Sequence, residues 1–174
     1  SHKKLLHKLK HTFNFTSDTI AFFASYLHNR QQSTHTQHAQ SQTQTITHGI
    51  PQGSTLSTTF FLLYINDIIK TVTKSSVYTY ADDTTLIITA TTINALEELA
   101  QSELTNLINY FHQNNLVPNP TKTNYSIFYP RKPEPIELKI QTIILKQKSD
   151  ALLLGLTVQD NLTHHQTITN IIKK

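Results

Sequence analysis

Cysteine and methionine are absent from the 174 residues, and glycine occurs only three times. Without cysteine there is no disulfide partner and no zinc knuckle, and the redox compartment stays open. Charge is also scarce, at 15% of residues against 37% hydrophobic, so Ser, Thr, Gln, Asn and His carry much of the polarity. No Lys or Arg falls between Lys74 and Lys122, a window that holds Asp82, Asp83, Glu97, Glu98 and Glu103. The longest unbroken apolar run, Phe60 to Ile65, is far short of the ~20 residues that span a bilayer. The N-terminus lacks the apolar region of a signal peptide. The length suits one domain with a real core. The net charge of +4 permits nucleic-acid binding without demonstrating it. The chain opens mid-pattern on Ser1-His2-Lys3-Lys4, which reads as a piece of a longer reading frame; removal of an initiator methionine is the alternative.

The glycines are Gly49, Gly53 and Gly155. A chain this sparing, against a typical usage of ~7%, is expected to keep glycine where no other residue fits the backbone. Leu5, Leu6, Leu9 and Phe13 predict a helix over roughly 3–13. Thr16-Ser17-Asp18 offers an N-cap for a second helix ending near Asn29-Arg30. Residues 31–48 are a Gln/Thr/Ser/His tract that composition leaves open to disorder. The competing reading is a polar hairpin turning near Ala39-Gln40-Ser41. His35 and His38 in that tract read as solvated rather than metal-bound. Gly49-Ile50-Pro51-Gln52-Gly53-Ser54 is a bent, bare loop that a second backbone or a base can approach closely. Ser57 or Thr58 then caps a core helix carrying Phe60, Phe61, Tyr64, Ile65, Ile68, Ile69 and Val72, with Asp67 on its polar side. Asn94 with Glu97 resembles a capping box for a long helix to about Asn115, stopped by Pro118 and Pro120. Tyr125–Tyr129, Ile136–Ile140, Ile143–Lys146 and Ala151–Val158 read as strands, and a further helix begins at His165.

The middle of the chain, Val77 to Ile88, reads as two β-branched and aromatic strands joined at Asp82-Asp83. Aspartate is a common turn residue, so a solvated turn is one reading. The other is a metal site, because adjacent carboxylates repel and a divalent cation offsets that repulsion.

The order of these motifs resembles the palm of a reverse transcriptase, most closely in the non-LTR (LINE-type) retrotransposon family. Gly49-Ile50-Pro51-Gln52-Gly53-Ser54-Thr55-Leu56-Ser57 resembles motif B, and Phe60 to Ile68 resembles the helix after it. Tyr80-Ala81-Asp82-Asp83 resembles motif C. Asn119-Pro120-Thr121-Lys122-Thr123 resembles motif D, and Leu154-Gly155-Leu156 resembles motif E, the primer grip. The five stand in register over nearly the whole chain and contain all three glycines.

The resemblance implies an α+β palm, with a largely antiparallel sheet packed on helices, over residues 1–158. Residues 159–174 would begin a thumb. It implies RNA-directed DNA synthesis on an RNA template from a DNA primer and deoxynucleotides, in the nucleus or cytoplasm and without a membrane. Asp82 and Asp83 would ligate Mg²⁺ in a site where two metals ~4 Å apart stabilise the attacking and leaving oxygens. Tyr80 would sit near the primer terminus, and Gln52 and Gly53 would line the nucleotide and template site. Lys122 would lie near the pyrophosphate leaving group as a proton donor, and Leu154 and Gly155 would form the primer grip.

Departures stand beside the match. Ser57-Thr58-Thr59 lacks the proline common after the motif B serine, and Leu153-Leu154 replaces a frequent aromatic. The third carboxylate of motif A is missing, since the only earlier acids, Asp18 and Asp67, fall in helix patterns. Motif A and the fingers are expected upstream of Ser1, and most of the thumb beyond Lys174. The 174 residues alone are therefore expected not to catalyse. A decayed or co-opted remnant that binds nucleic acid without catalysis is the alternative, and a group II intron maturase relative a third; Tyr64-Ile65-Asn66-Asp67 favours the LINE type.

Overall fold

The structure, a computed structural model, describes residues 1–51, 53–128, 135–153 and 156–161. The chain divides into two compact units, Ser1–Asp67 and Ile68–Lys174.

The first unit is built on three helices. Helix α1 (His2–His11) buries Leu5 and Leu9 on one stripe and gathers Lys8, Lys10 and His11 in its last turn, where cations suit the helix dipole. Helix α2 (Ser17–Leu27) is capped as expected, with Thr16 Oγ1 accepting from the Thr19 amide at 3.3 Å. It stops at Leu27, and Asn29 follows at φ +49°. Strands β1 (Gln31–Gln32) and β2 (Gln44–Thr45) pair antiparallel, so the polar tract is a hairpin. Its turn lies at Thr36–Ala39, slightly earlier than expected, because Thr36 both donates to and accepts from Ala39. Helix α3 (Thr55–Ile65) begins two residues before the expected cap, with Ser54 at the N-cap. It buries Phe60, Tyr64 and Ile65, and Phe23 of α2 meets Phe60 edge-on at 4.9 Å. The continuous helix expected to Val72 ends at Ile65 and tightens into a 3₁₀ turn, Asn66–Lys70. Asp67 is not simply solvated: Lys8 Nζ reaches its Oδ1 at 2.7 Å and the Tyr64 carbonyl at 2.7 Å.

The second unit is organised by α4 (Ile93–Gln113), whose cap is Thr92 rather than Asn94. Glu97 is thereby released from the expected capping box and accepts from the Glu137 amide at 2.8 Å. Strands β3 (Ser76–Tyr80) and β4 (Asp83–Ile87) form an antiparallel hairpin. The remaining strands are short: β5 (Asn124–Tyr125), β6 (Lys139–Ile140), β7 (Ile143–Ile144), β8 (Lys146–Gln147), β9 (Asp150–Leu153) and β10 (Leu156–Gln159). The expected sheet is five separate two-stranded pieces among the described residues, four antiparallel and one, β5 with β8, parallel. Ala151–Val158 is not one strand but the β9–β10 hairpin, with Leu153 opposite Leu156.

A physical reason for the short strands is visible at 136–140. Ile136, Leu138 and Ile140 alternate inward against Ala100, Leu104 and Ile108 of α4, as a half-buried strand does. The outward amides, however, are taken by helix side chains: Glu97 holds Glu137, and Gln101 holds Lys139 at 2.8 Å. Those amides are satisfied without a neighbouring strand. The strand expected over Tyr125–Tyr129 is present only as β5, with Ser126, Ile127 and Phe128 in no strand; Tyr129 and the expected helix from His165 lie outside the described residues. No helix among the described residues is long and apolar enough to cross a membrane.

Candidate active site

The β3–β4 register defines the Asp-Asp tip. Tyr80 pairs with Asp83, leaving Ala81 and Asp82 as a two-residue turn. Ala81 sits at φ +51° while Asp82 does not adopt positive φ, so the strain of the tight hairpin falls on Ala81. Cross-strand partners share a face, so Tyr78, Tyr80, Asp83 and Thr85 stand on one side and Val77 and Leu86 on the other. Val77 packs toward Ile68, Leu107 and Tyr110, which fixes its side as the inner one. The other side is open: Tyr78 is 58% and Tyr80 67% exposed. Asp82 and Asp83 are exposed too, and neither carboxylate meets a donor among the described residues. In bulk water two charges ~4 Å apart repel by only about 1 kcal/mol, so the tip is tolerable without a counter-ion and free to accept one.

The donor set suits a hard cation, because carboxylate oxygen is what Mg²⁺ takes, usually beside water and phosphate. No group of three or more His, Cys, Asp or Glu side chains able to hold a metal gathers among the described residues. Asp82 and Asp83 are two adjacent carboxylates, one short of such a group. The earlier acids do not join them as strand residues: Asp18 lies in the first turn of α2, and Asp67 is paired to Lys8.

The base of the same hairpin is held by a residue the sequence reading passed over. Glu103 of α4 is 2% exposed. Its Oε2 accepts from the Thr73 amide at 3.0 Å and the Ser75 hydroxyl at 2.6 Å, and its Oε1 accepts from the Thr73 hydroxyl at 3.2 Å. Burial works to raise this carboxyl, but the hydrogen bonds from Ser75, Thr73 and the Lys74 backbone outweigh it and hold it below its ordinary value. The signal was present: Glu103 falls between Ala100 and Leu107 on the buried stripe of α4, where an acid demands donors.

Lys122 lies on the surface of a separate turn, after Asn119, with its amide donating to the Asn119 carbonyl at 3.2 Å. Asn119 Oδ1 accepts from both the amide and the hydroxyl of Thr121, which fixes that turn. Tyr80, Asp82 and Asp83 share one tip, and among the described residues no side-chain bond ties Lys122 to them.

In the first unit, Gly49 and Gly53 have φ of +79° and +80°. A Cβ at either would meet nothing within 4 Å, so their backbone conformation, not crowding, calls for glycine. The Ser57 hydroxyl donates to the Pro51 carbonyl, and His2 Nε2 donates to the Gly49 carbonyl at 2.7 Å, closing the loop on both sides. Gln52, Leu154 and Gly155 lie outside the described residues.

The family model described as reverse transcriptase (RNA-dependent DNA polymerase) matches residues 1–158. A curated relative, a probable RNA-directed DNA polymerase from transposon BS of Drosophila melanogaster, is 27% identical over 171 residues. That match covers 93% of this chain and 19% of the relative, so the chain spans about a fifth of the relative's length. No solved structure matches. With two positive-φ glycines ahead of α3, an exposed Tyr80-Ala81-Asp82-Asp83 tip and a family match over most of its length, the chain belongs to the reverse transcriptase family.

Proposed function

We propose that this chain is the palm of a non-LTR-type RNA-directed DNA polymerase, and that the Asp82-Asp83 tip is its metal-holding site. The observation that carries the reading is that tip: two adjacent carboxylates and the Tyr80 ring, exposed together on a hairpin whose other face is packed. The reaction joins the primer 3′-hydroxyl oxygen to the α-phosphate of a deoxynucleotide, breaks the α–β phosphate bond and releases pyrophosphate. Mg²⁺ bound by Asp82 and Asp83 would supply charge stabilisation to the attacking and leaving oxygens.

The chain's own residues do the rest. The exposed Tyr80 ring offers a flat apolar surface to the primer end, and aromatic stacking of this kind is tolerant of base identity. The Gln52–Gly53 loop presents the incoming nucleotide to the template, Leu154 and Gly155 grip the primer, and Lys122 gives a proton to the departing pyrophosphate. Nucleic-acid binding rests mainly on phosphate contacts, so log affinity falls with log salt by about 0.7 to 0.9 per phosphate neutralised.

The test is primer extension on an RNA template with deoxynucleotides and Mg²⁺. A chain carrying this segment within the rest of its reading frame is expected to extend the primer. The 174 residues alone are not, because two carboxylates do not fix two ions. Extension by the 174 residues alone would refute that insufficiency, and none by the longer chain would refute the polymerase reading.

A further inference from the structure

Ser54, at the entry to α3, is pinned from a helix that no motif includes. Tyr26, in the last turn of α2, makes a hydroxyl–hydroxyl hydrogen bond with Ser54. Ser54 is the N-cap of α3, and a serine there ordinarily turns its oxygen onto the amide two or three residues ahead. Here the side chain makes no cap bond. The hydroxyl is instead engaged by Tyr26, so the α3 cap is forgone in favour of a contact that fixes where the loop enters the helix.

Tyr26 is itself held. The Arg30 guanidinium lies over its ring, 4.6 Å from the centroid, and Arg30 Nε donates to the Tyr26 carbonyl at 2.8 Å, one of the helix-end acceptors that α2 leaves open. Phe60 meets the ring at 6.1 Å. With the ring placed by Arg30 and Phe60, the hydroxyl has a defined position to offer Ser54. On the other side the Ser57 hydroxyl takes the Pro51 carbonyl. Gly53, at φ +80°, therefore sits between two fastened points, Pro51 and Ser54.

We infer that Tyr26, held by Arg30, is a positioning residue that sets Gly53 and Ser54, at the entry to α3, for contact with the incoming deoxynucleotide. The contact with nucleotide rests on the polymerase reading; the setting of Gly53 and Ser54 does not. A packing role alone would be served equally by phenylalanine, so the hydroxyl is the group to remove.

The experiment compares wild type, Tyr26→Phe, Ser54→Ala and the double variant by native-state amide exchange on this chain. Tyr26→Phe is expected to speed exchange at the Ser54 and Ser57 amides about threefold to tenfold, the effect of one hydrogen bond. The Leu9 and Leu27 amides should keep their rates. Ser54→Ala should match it, and the double variant should be no faster than either single one, because both remove the same contact. Unchanged rates in Tyr26→Phe, additive effects, or faster exchange throughout residues 1–67 would overturn the inference.

In a longer chain that extends a primer, Tyr26→Phe should raise the deoxynucleotide KM by a similar factor, with kcat within about twofold. A KM that stays put overturns the nucleotide contact. Failure of the polymerase reading shows separately, as a wild-type longer chain that does not extend, and the exchange rates still decide whether Tyr26 sets Gly53 and Ser54.

Discussion

Two carboxylate environments lie at opposite ends of β3. At its start, Glu103 is buried and receives hydrogen bonds from Thr73 and Ser75, and its carboxyl is held below the ordinary value. At its end, Asp82 and Asp83 stand exposed on a tight turn with no donor among the described residues. The same chemical group is structural at one end and open to a ligand at the other. A buried carboxylate saturated by protein donors has no lone pair to give a cation, whereas a solvated one loses only water. The hairpin is thus anchored by a carboxylate with no lone pair to spare at one end and left bare at the other.

The difference can be broken by exchanging charge for shape at each end. Asp82→Asn keeps shape and removes ligand charge. In a longer chain that extends a primer it should lower the rate at least ~100-fold, the scale of losing placement at a reacting centre. Stability should stay within about 0.5 kcal/mol, as for an exposed substitution. Glu103→Gln should do the reverse: it sets an amide NH₂ against donors and should cost about 1–3 kcal/mol in denaturant unfolding. Extension at a temperature where the fold persists should survive it.

A smaller effect sharpens the same contrast through pH. Because folding depresses the Glu103 carboxyl, its contribution is complete above the ordinary value of 4.5 and fades as pH falls through the lower folded value. Acid titration of unfolding should therefore show a loss of stability below about pH 4.5 that is absent in Glu103→Gln. An identical acid limb in both proteins would contradict the assignment.

Much of this was legible in sequence wherever the physics is local. Helical spacing located α1, α2 and α4, and the Asp-Asp pair between β-rich runs located the hairpin tip. The caps lie two residues earlier at Thr92 and three or more earlier at Ser54, because both compete with equally plausible neighbours for the same helix starts. Long-range satisfaction of backbone amides was not legible. Nothing near Glu137 or Lys139 announces that Glu97 and Gln101, some forty residues earlier, will take their amides and cut the strand short. Tyr26 and Ser54 are likewise distant in sequence, and only the fold brings their hydroxyls together. Lys8 and Asp67 also meet across 59 residues of sequence.

The central claim, that the Asp82-Asp83 tip holds the metal and the Glu103 end does not, is tested most directly by titrating Mn²⁺ into this chain and following paramagnetic broadening of its amide resonances. The account predicts that Tyr80 to Thr84 broaden first, that Thr73 to Ser75 stay sharp, and that Asp82→Asn removes the effect. Broadening centred on Thr73 to Ser75, or broadening at the tip that survives Asp82→Asn together with Asp83→Asn, would contradict it.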